Sequence, residues 1–371
     1  MNSKVAVLKG QLAENIKSCS LSDSLFLQTF TTARDLDPST EVSFGRSAVW
    51  FMRQAGRYLP EYRAIRKRHS MLEVIRSPQL AAEVTLQPLR RFDLDAAIIF
   101  ADILNPLIGM GLDLDFVQGA GPKIFNPIES ADDVAGLTIP TPDTNVGYTL
   151  EAIELVCSSL SKRSIPLIGF CGAPFTLACY ACGGLKSNDF APARSLLQKE
   201  PTTWNVLQEK LTELMSEYLI AQVDAGVSAV QVFDTWAGLL SREEYEVAAL
   251  PHLQSLIKRV RTAVDVPLLY FATNALHLAP AIATLKADGY GLDWRMNFAT
   301  ARELYGRRAV LQGNLNPNLL VGEWGPVEEA AQQIIATARS YGPHIFNVGH
   351  GLLPETKIEN LARLVELVRG E

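Results

Sequence analysis

Ala229-Val230-Gln231-Val232-Phe233-Asp234-Thr235-Trp236 is a short apolar run that stops in a polar turn. A run so nearly continuous in apolar residues suits a strand buried on both faces, the condition of a parallel sheet. The same pattern recurs at Asp95–Phe100 (DAAIIF), Pro166–Phe170 (PLIGF), Pro267–Phe271 (PLLYF), Tyr290–Trp294 (YGLDW), Ala309–Gln312 (AVLQ) and His344–Val348 (HIFNV), with Ala48–Met52 (AVWFM) as a further candidate. Amphipathic helices are expected between them, at 145–161, 203–225, 242–264, 300–307, 326–341 and 358–369. In the second of these, Val206, Leu207, Leu211, Leu214, Met215, Tyr218 and Leu219 recur at helical spacing and read as a core face. Strand alternating with helix leaves two architectures, an open doubly wound sheet or a closed (β/α)8 barrel. The Gly-rich phosphate loop common after the first strand of open sheets is missing. Neither Gly109-Met110-Gly111 nor Gly119-Ala120-Gly121 has a third glycine in a strand–helix setting. The reading is therefore α/β, a single (β/α)8 TIM-type barrel over residues 21–371, preceded by an N-terminal arm, 1–20. Gly119-Ala120-Gly121-Pro122 reads as the turn of an inserted hairpin.

Composition narrows the function. The chain has 371 residues, 48% hydrophobic and 20% charged, with a formal net charge of −6. An acidic protein is poorly suited to nucleic acid, whose binding rests on a basic surface. Five cysteines scattered over this length do not form a disulfide framework, and residues 1–20 lack the apolar core of a signal peptide, so a reducing cytoplasm is expected. Residues 164–185 and 266–285 are uncharged and long enough to span a bilayer. Their prolines, glycines and polar residues fit strand, loop and helix start better, and no membrane insertion is expected.

In such a barrel, functional groups gather at the C-terminal strand ends. The residues just past each run are Arg53, Asp102, Cys171-Gly172-Ala173-Pro174, Asp234-Thr235-Trp236, Asp293, Asn314 and Gly349-His350-Gly351. Arg53 and His350 suit anions. Asp234 and Asp293 serve equally well as helix caps or arginine partners. Asp102 is harder to read as a cap, because Ile103-Leu104-Asn105-Pro106 continues apolar and then breaks. The glycines around His350 let backbone or ligand approach closely. Cys179-Tyr180-Ala181-Cys182 has the C-x-x-C form, but without a second pair or any His-x-Cys it reads as buried, idle thiols rather than a metal site. No G-x-S-x-G supports a serine triad.

Arg53-Gln54-Ala55-Gly56-Arg57-Tyr58-Leu59-Pro60-Glu61-Tyr62-Arg63 carries a further signal, being cationic in an acidic chain and followed by Arg66, Lys67, Arg68 and His69. This block, together with Gly169-Phe170-Cys171-Gly172-Ala173-Pro174-Phe175-Thr176-Leu177, resembles the two signatures of the uroporphyrinogen decarboxylase family. Leu86–Phe92, Gly291–Trp294, Leu311–Leu315 and Asn347–Gly351 are also similar, in consistent order from about Leu21 onward. The resemblance implies a homodimeric barrel enzyme, with no cofactor and no metal, that converts the four acetates of uroporphyrinogen III to methyls. It implies that Arg53, Ala55 through its backbone, Arg57, Arg66, Tyr180, Thr235 and His350 bind this polyanion. Asp102 would sit under the pyrrole N–H groups, with Arg53, Tyr180 and His350 as its catalytic companions. Arg53 is the family's candidate proton donor, but a guanidinium barely releases protons. His350 is expected to titrate near neutrality. The chain departs from the family pattern at Thr235, where serine is common, at Cys182 and Leu185, and in Tyr270–Ala275, which lacks a glycine. Corrinoid-linked methyl transfer on a related barrel would need zinc held by His-x-Cys, and a tetrapyrrole-binding protein without turnover would have no use for Asp102.

Overall fold

Polar residues flanking two short apolar strands decide how this sheet closes. A computed structural model describes residues 21–37, 45–117, 121–183 and 190–370. In chain order the strands are β1 Ala48–Val49, β2 Ala97–Ile98, β3 Leu114–Val117, β4 Gly121–Ile124, β5 Leu167–Gly172, β6 Ala229–Asp234, β7 Leu268–Ala272, β8 Gly289–Gly291, β9 Val310–Leu315 and β10 His344–Val348. Eight of them form one parallel sheet in the order β1-β10-β9-β8-β7-β6-β5-β2. β3 and β4 pair antiparallel as the expected hairpin, although residues 118–120 of its turn lie outside the described residues.

The two end strands meet at a seam. The Asp95 N–H donates to the Val49 carbonyl at 2.8 Å, and the Asp95 carboxylate accepts the Val49 N–H at 2.8 Å. Arg46 holds that carboxylate in a fork at 2.7 and 2.8 Å. Gln54 adds a third tie through Nε2 to the Ala96 carbonyl at 3.3 Å. The curled sheet is thereby closed as a (β/α)8 barrel. Every residue of β5, β9 and β10 is buried, as strands covered on both faces require.

All eight expected barrel strands are present, with ends that differ by at most three residues and β10 matching at both. The helix Pro201–Asp224 packs against β5 through Gln222, whose amide bonds both backbone groups of Phe170 at 2.9 Å. Gly169 has no room for a Cβ, which would stand 2.6 Å from Gln222 Oε1. Val206 departs from the expected core face and is 39% exposed. The expected helix over 242–264 is two helices, Arg242–Ala248 and Leu250–Ala263, because Pro251 stands in the first turn of the second and supplies no N–H to the first.

The described part of 164–185 contains β5 and the helix Pro174–Gly183, and no described helix is long and apolar enough to cross a membrane. The helices Pro60–Arg66, Met71–Arg76 and Pro78–Arg91 were not foreseen, since prolines and serine caps cut their apolar periodicity into short pieces. The expected arm, residues 1–20, lies outside the described residues.

Candidate active site

A chain of buried amides crosses the barrel and sets the position of Arg53. Trp50 Nε1 donates to Gln312 Oε1 at 3.0 Å, and Gln312 Nε2 donates to Gln231 Oε1 at 3.0 Å. Gln231 Nε2 reaches the Met52 sulfur at 3.9 Å. Met52 is held on both sides as well, its N–H by Asn347 Oδ1 at 2.9 Å and its carbonyl by the Leu352 N–H at 2.9 Å. Sequence reasoning missed Gln231, Gln312 and Asn347 as supports. The available signal was an amide side chain inside each of three largely apolar strands.

From this base the chain turns sharply, with Arg53 at φ 62°, a backbone conformation few side-chain-bearing residues adopt. Gln54 and Tyr58 then point inward. Gln54 Oε1 accepts the Phe51 N–H, and its backbone carbonyl accepts the Tyr58 hydroxyl at 2.7 Å. Arg53 and Arg57 point outward and are exposed. Among the described residues none accepts the Ala55 N–H. The motif thus divides into an anchoring half and a cationic half with an open backbone donor.

Asp102 stands half-buried past β2. Its Oδ1 accepts the Leu104 N–H at 2.9 Å, a local turn that fixes the carboxylate and leaves the other oxygen free of chain donors among the described residues. Burial raises its pKa above the ordinary carboxylate range, and the Leu104 N–H and the Arg53 charge pull against that rise. Tyr180, on the helix Pro174–Gly183, lies within the fields of both Asp102 and Arg53. Burial raises its pKa as well, so the phenol keeps its proton.

His350 follows β10, the strand paired with β1. Its Nδ1 accepts the Gly351 N–H at 2.7 Å, which leaves the ring proton on Nε2. Burial and then the Arg53 charge push its pKa down to about 4. The expected titration near neutrality is therefore incorrect, and His350 is a neutral donor at physiological pH. The glycines on either side serve close approach within the chain. A Cβ on Gly349 would meet the Trp294 backbone nitrogen at 2.3 Å, and one on Gly351 would meet Arg53 Cδ at 2.3 Å.

The remaining candidates separate clearly. Thr235 is half-buried past β6 and accepts the Thr273 hydroxyl on its carbonyl at 2.7 Å, while its own hydroxyl bonds nothing among the described residues. Arg66 donates to the His69 carbonyl at 2.6 Å and lies beside Tyr62, whose ring packs on Phe100 at 5.6 Å. Asp293 is an arginine partner, one of its two expected roles, bound to Arg295 at 2.8 and 3.0 Å. Asp234 is buried under two hydroxyls, Thr176 at 2.7 Å and Tyr270 at 2.9 Å, with its pKa raised to about 6 by burial. Asn314 spans the Asp293 and Met296 carbonyls at 3.0 and 2.8 Å. Cys171, Cys179 and Cys182 are buried free thiols, and burial raises the pKa of each. No group of three His, Cys, Asp or Glu among the described residues is placed to hold a metal.

Of the two remaining departures from the family pattern, one can be located. The segment lacking glycine places Asn274 at φ 51°, a conformation asparagine tolerates, with its N–H held by Asp293 at 2.9 Å. Leu185 lies outside the described residues. A cavity of about 380 Å³ between β7, β8 and the loops after them is lined by Asn274, His277, Asp293 and Arg295. It adjoins the cleft, but none of Arg53, Asp102, Tyr180 or His350 lines it.

A family model described as uroporphyrinogen decarboxylase matches residues 39–370. Among curated relatives, the uroporphyrinogen decarboxylase of Roseiflexus sp. (strain RS-1) is 47% identical over 324 residues, covering 86% of this chain and 93% of that protein. The uroporphyrinogen decarboxylase of Coxiella burnetii (strain RSA 493) is 43% identical over 329 residues, covering 88% and 91%. Among solved structures, a methyltransferase from Methanosarcina mazei superposes with TM-score 0.75 at 18% identity, over 93% of this chain and 98% of that one. At that identity the likeness speaks for the fold alone. The family match spans the barrel from before β1 to its last helix and takes in every residue assembled around the cleft, and the chain belongs to the uroporphyrinogen decarboxylase family.

Proposed function

We propose that this protein decarboxylates the four acetate side chains of uroporphyrinogen III, giving coproporphyrinogen III and carbon dioxide in tetrapyrrole biosynthesis. The observation that carries the reading is a confined carboxylate, Asp102, in the field of Arg53 at the floor of an arginine-bearing cleft. Arg53, Arg57 and the open Ala55 N–H bind substrate carboxylates, the guanidinium forks matching them in shape. Arg66 extends the cationic rim, and the Thr235 hydroxyl contributes one more contact.

Loss of carbon dioxide from a pyrrole acetate leaves an electron pair that needs a sink. Protonating a ring carbon makes the pyrrole a cationic iminium that accepts it. The C–C bond then breaks, and the resulting exocyclic methylene takes a proton while the ring carbon returns its own. Each acetate consumes one proton net. Asp102 beneath the pyrrole N–H groups stabilises the cation. Tyr180 and His350, both protonated toward the cleft and not titrating near pH 7, act as hydrogen-bond donors. No added cofactor takes part in this scheme. Methyl transfer has no comparable support, since no histidine of the chain is followed two residues later by cysteine. In the same reading the enzyme is a cytoplasmic homodimer, with residues 21–371 as its catalytic domain and 1–20 as an arm.

Asp102→Asn tests the central role. Preorganised electrostatic groups of this kind are worth about 3–4 kcal/mol at a transition state. The variant should lose kcat roughly 100- to 1,000-fold while substrate affinity, measured by equilibrium binding, changes by less than about fivefold. Loss of binding with kcat retained would contradict the assignment.

A further inference from the structure

Trp236, two residues past β6, holds a buried donor that the chain leaves unused. Its indole Nε1 makes no hydrogen bond among the described residues, although the atom is sealed from solvent. The rest of the residue is firmly placed. Its backbone N–H donates to Thr176 Oγ1 at 3.2 Å, and that hydroxyl donates to Asp234 at 2.7 Å. The ring packs on Phe190 at 4.7 Å between centroids and meets Tyr180 edge-on at 6.1 Å.

A buried polar group normally has a partner. The Phe190 ring has no acceptor to offer, and its carbonyl takes the Arg194 N–H at 3.2 Å. The Tyr180 hydroxyl does, and the indole N–H already opposes the rise that burial imposes on that phenol's pKa. Since Nε1 is sealed, its acceptor belongs to the protein and not to a molecule in the cleft.

We propose that Trp236 is a positioning residue for Tyr180, an inference that rests on the role given to Tyr180 above. In the working complex the phenol oxygen accepts from the indole N–H. A phenol has one proton to donate. With Trp236 donating to its oxygen, that proton is directed into the cleft, on the side where Asp102 and Arg53 exert their fields. Trp236 thereby fixes the direction of a catalytic hydrogen bond without touching substrate.

The test is a double-mutant cycle with uroporphyrinogen III, comparing Trp236→Phe, Tyr180→Phe and the pair. Trp236→Phe keeps an aromatic ring in place and removes the N–H. A neutral hydrogen bond of this kind corresponds to roughly a three- to tenfold loss of kcat, with KM within about twofold. In the Tyr180→Phe background the same substitution should have no further effect. If the smaller ring prevents folding, 3-benzothienylalanine at position 236 keeps the indole shape with sulfur in place of N–H, and the same outcomes apply. Effects that multiply rather than overlap, or wild-type kcat in Trp236→Phe, overturn the inference while the role of Tyr180 stands. Wild-type kcat in Tyr180→Phe overturns that role and the inference together.

Discussion

Arg53 projects over the cleft by way of a glycine near the other end of the chain. Its side chain crosses Gly351 so closely that a Cβ there would sit 2.3 Å from Arg53 Cδ and 2.8 Å from Cγ and Nε. Gly351 is needed for space, since its φ lies outside the left-handed range. Gly351→Ala should displace the guanidinium without harming the fold. Losing a charged hydrogen bond to a substrate carboxylate costs about 1.5–3 kcal/mol, so kcat/KM should fall at least about tenfold with the melting temperature little changed. Arg53→Ala should add almost nothing in that background, and steady-state kinetics of the four proteins would expose an error as independent effects. The identity of these residues was legible in the sequence, because arginines in an acidic chain and a histidine between glycines stand out. Their state was not. A pKa near 4 for His350 depends on burial and on the nearness of Arg53, which no spacing along the chain reports.

The strands were easier to read than the groups that brace them. Runs buried on both faces are predominantly apolar, so β10 could be delimited from its residues alone. The helix Pro174–Gly183 is apolar all round and has no periodicity to betray it. At the end of β6, Asp234 read as a cap or an arginine partner, whereas it is roofed by hydroxyls from the helix Pro174–Gly183 and from β7. That element carries a pH signature. The pKa of Asp234 rises from 3.8 to about 6 on folding. Between those values the native state binds the proton that the unfolded chain releases, so this group's contribution to stability falls as pH rises through the window and is lowest above pH 6. The difference amounts to roughly 3 kcal/mol. Asp234→Asn removes the ionisation. Its stability relative to wild type should climb from pH 4 to pH 6 and level off above, as followed by denaturant unfolding at each pH. A difference independent of pH would show that the carboxylate is not buried as described.

At the scale of the molecule, the barrel reconciles a net charge of −6 with a polyanionic substrate by gathering arginines at one strand end. The seam between β1 and β2 puts Arg53 and Asp102 within each other's field, because Asp95 and Gln54 tie the two strand ends together. Alternating strand and helix announced the barrel, but closure depends on Asp95, which reads in sequence as an ordinary strand residue. The account as a whole stands on the reaction. The most direct measurement is anaerobic incubation of chelator-treated protein with uroporphyrinogen III, followed by chromatographic counting of product carboxylates. The account predicts a four-carboxylate product without any added cofactor. Recovery of unchanged eight-carboxylate substrate would contradict it.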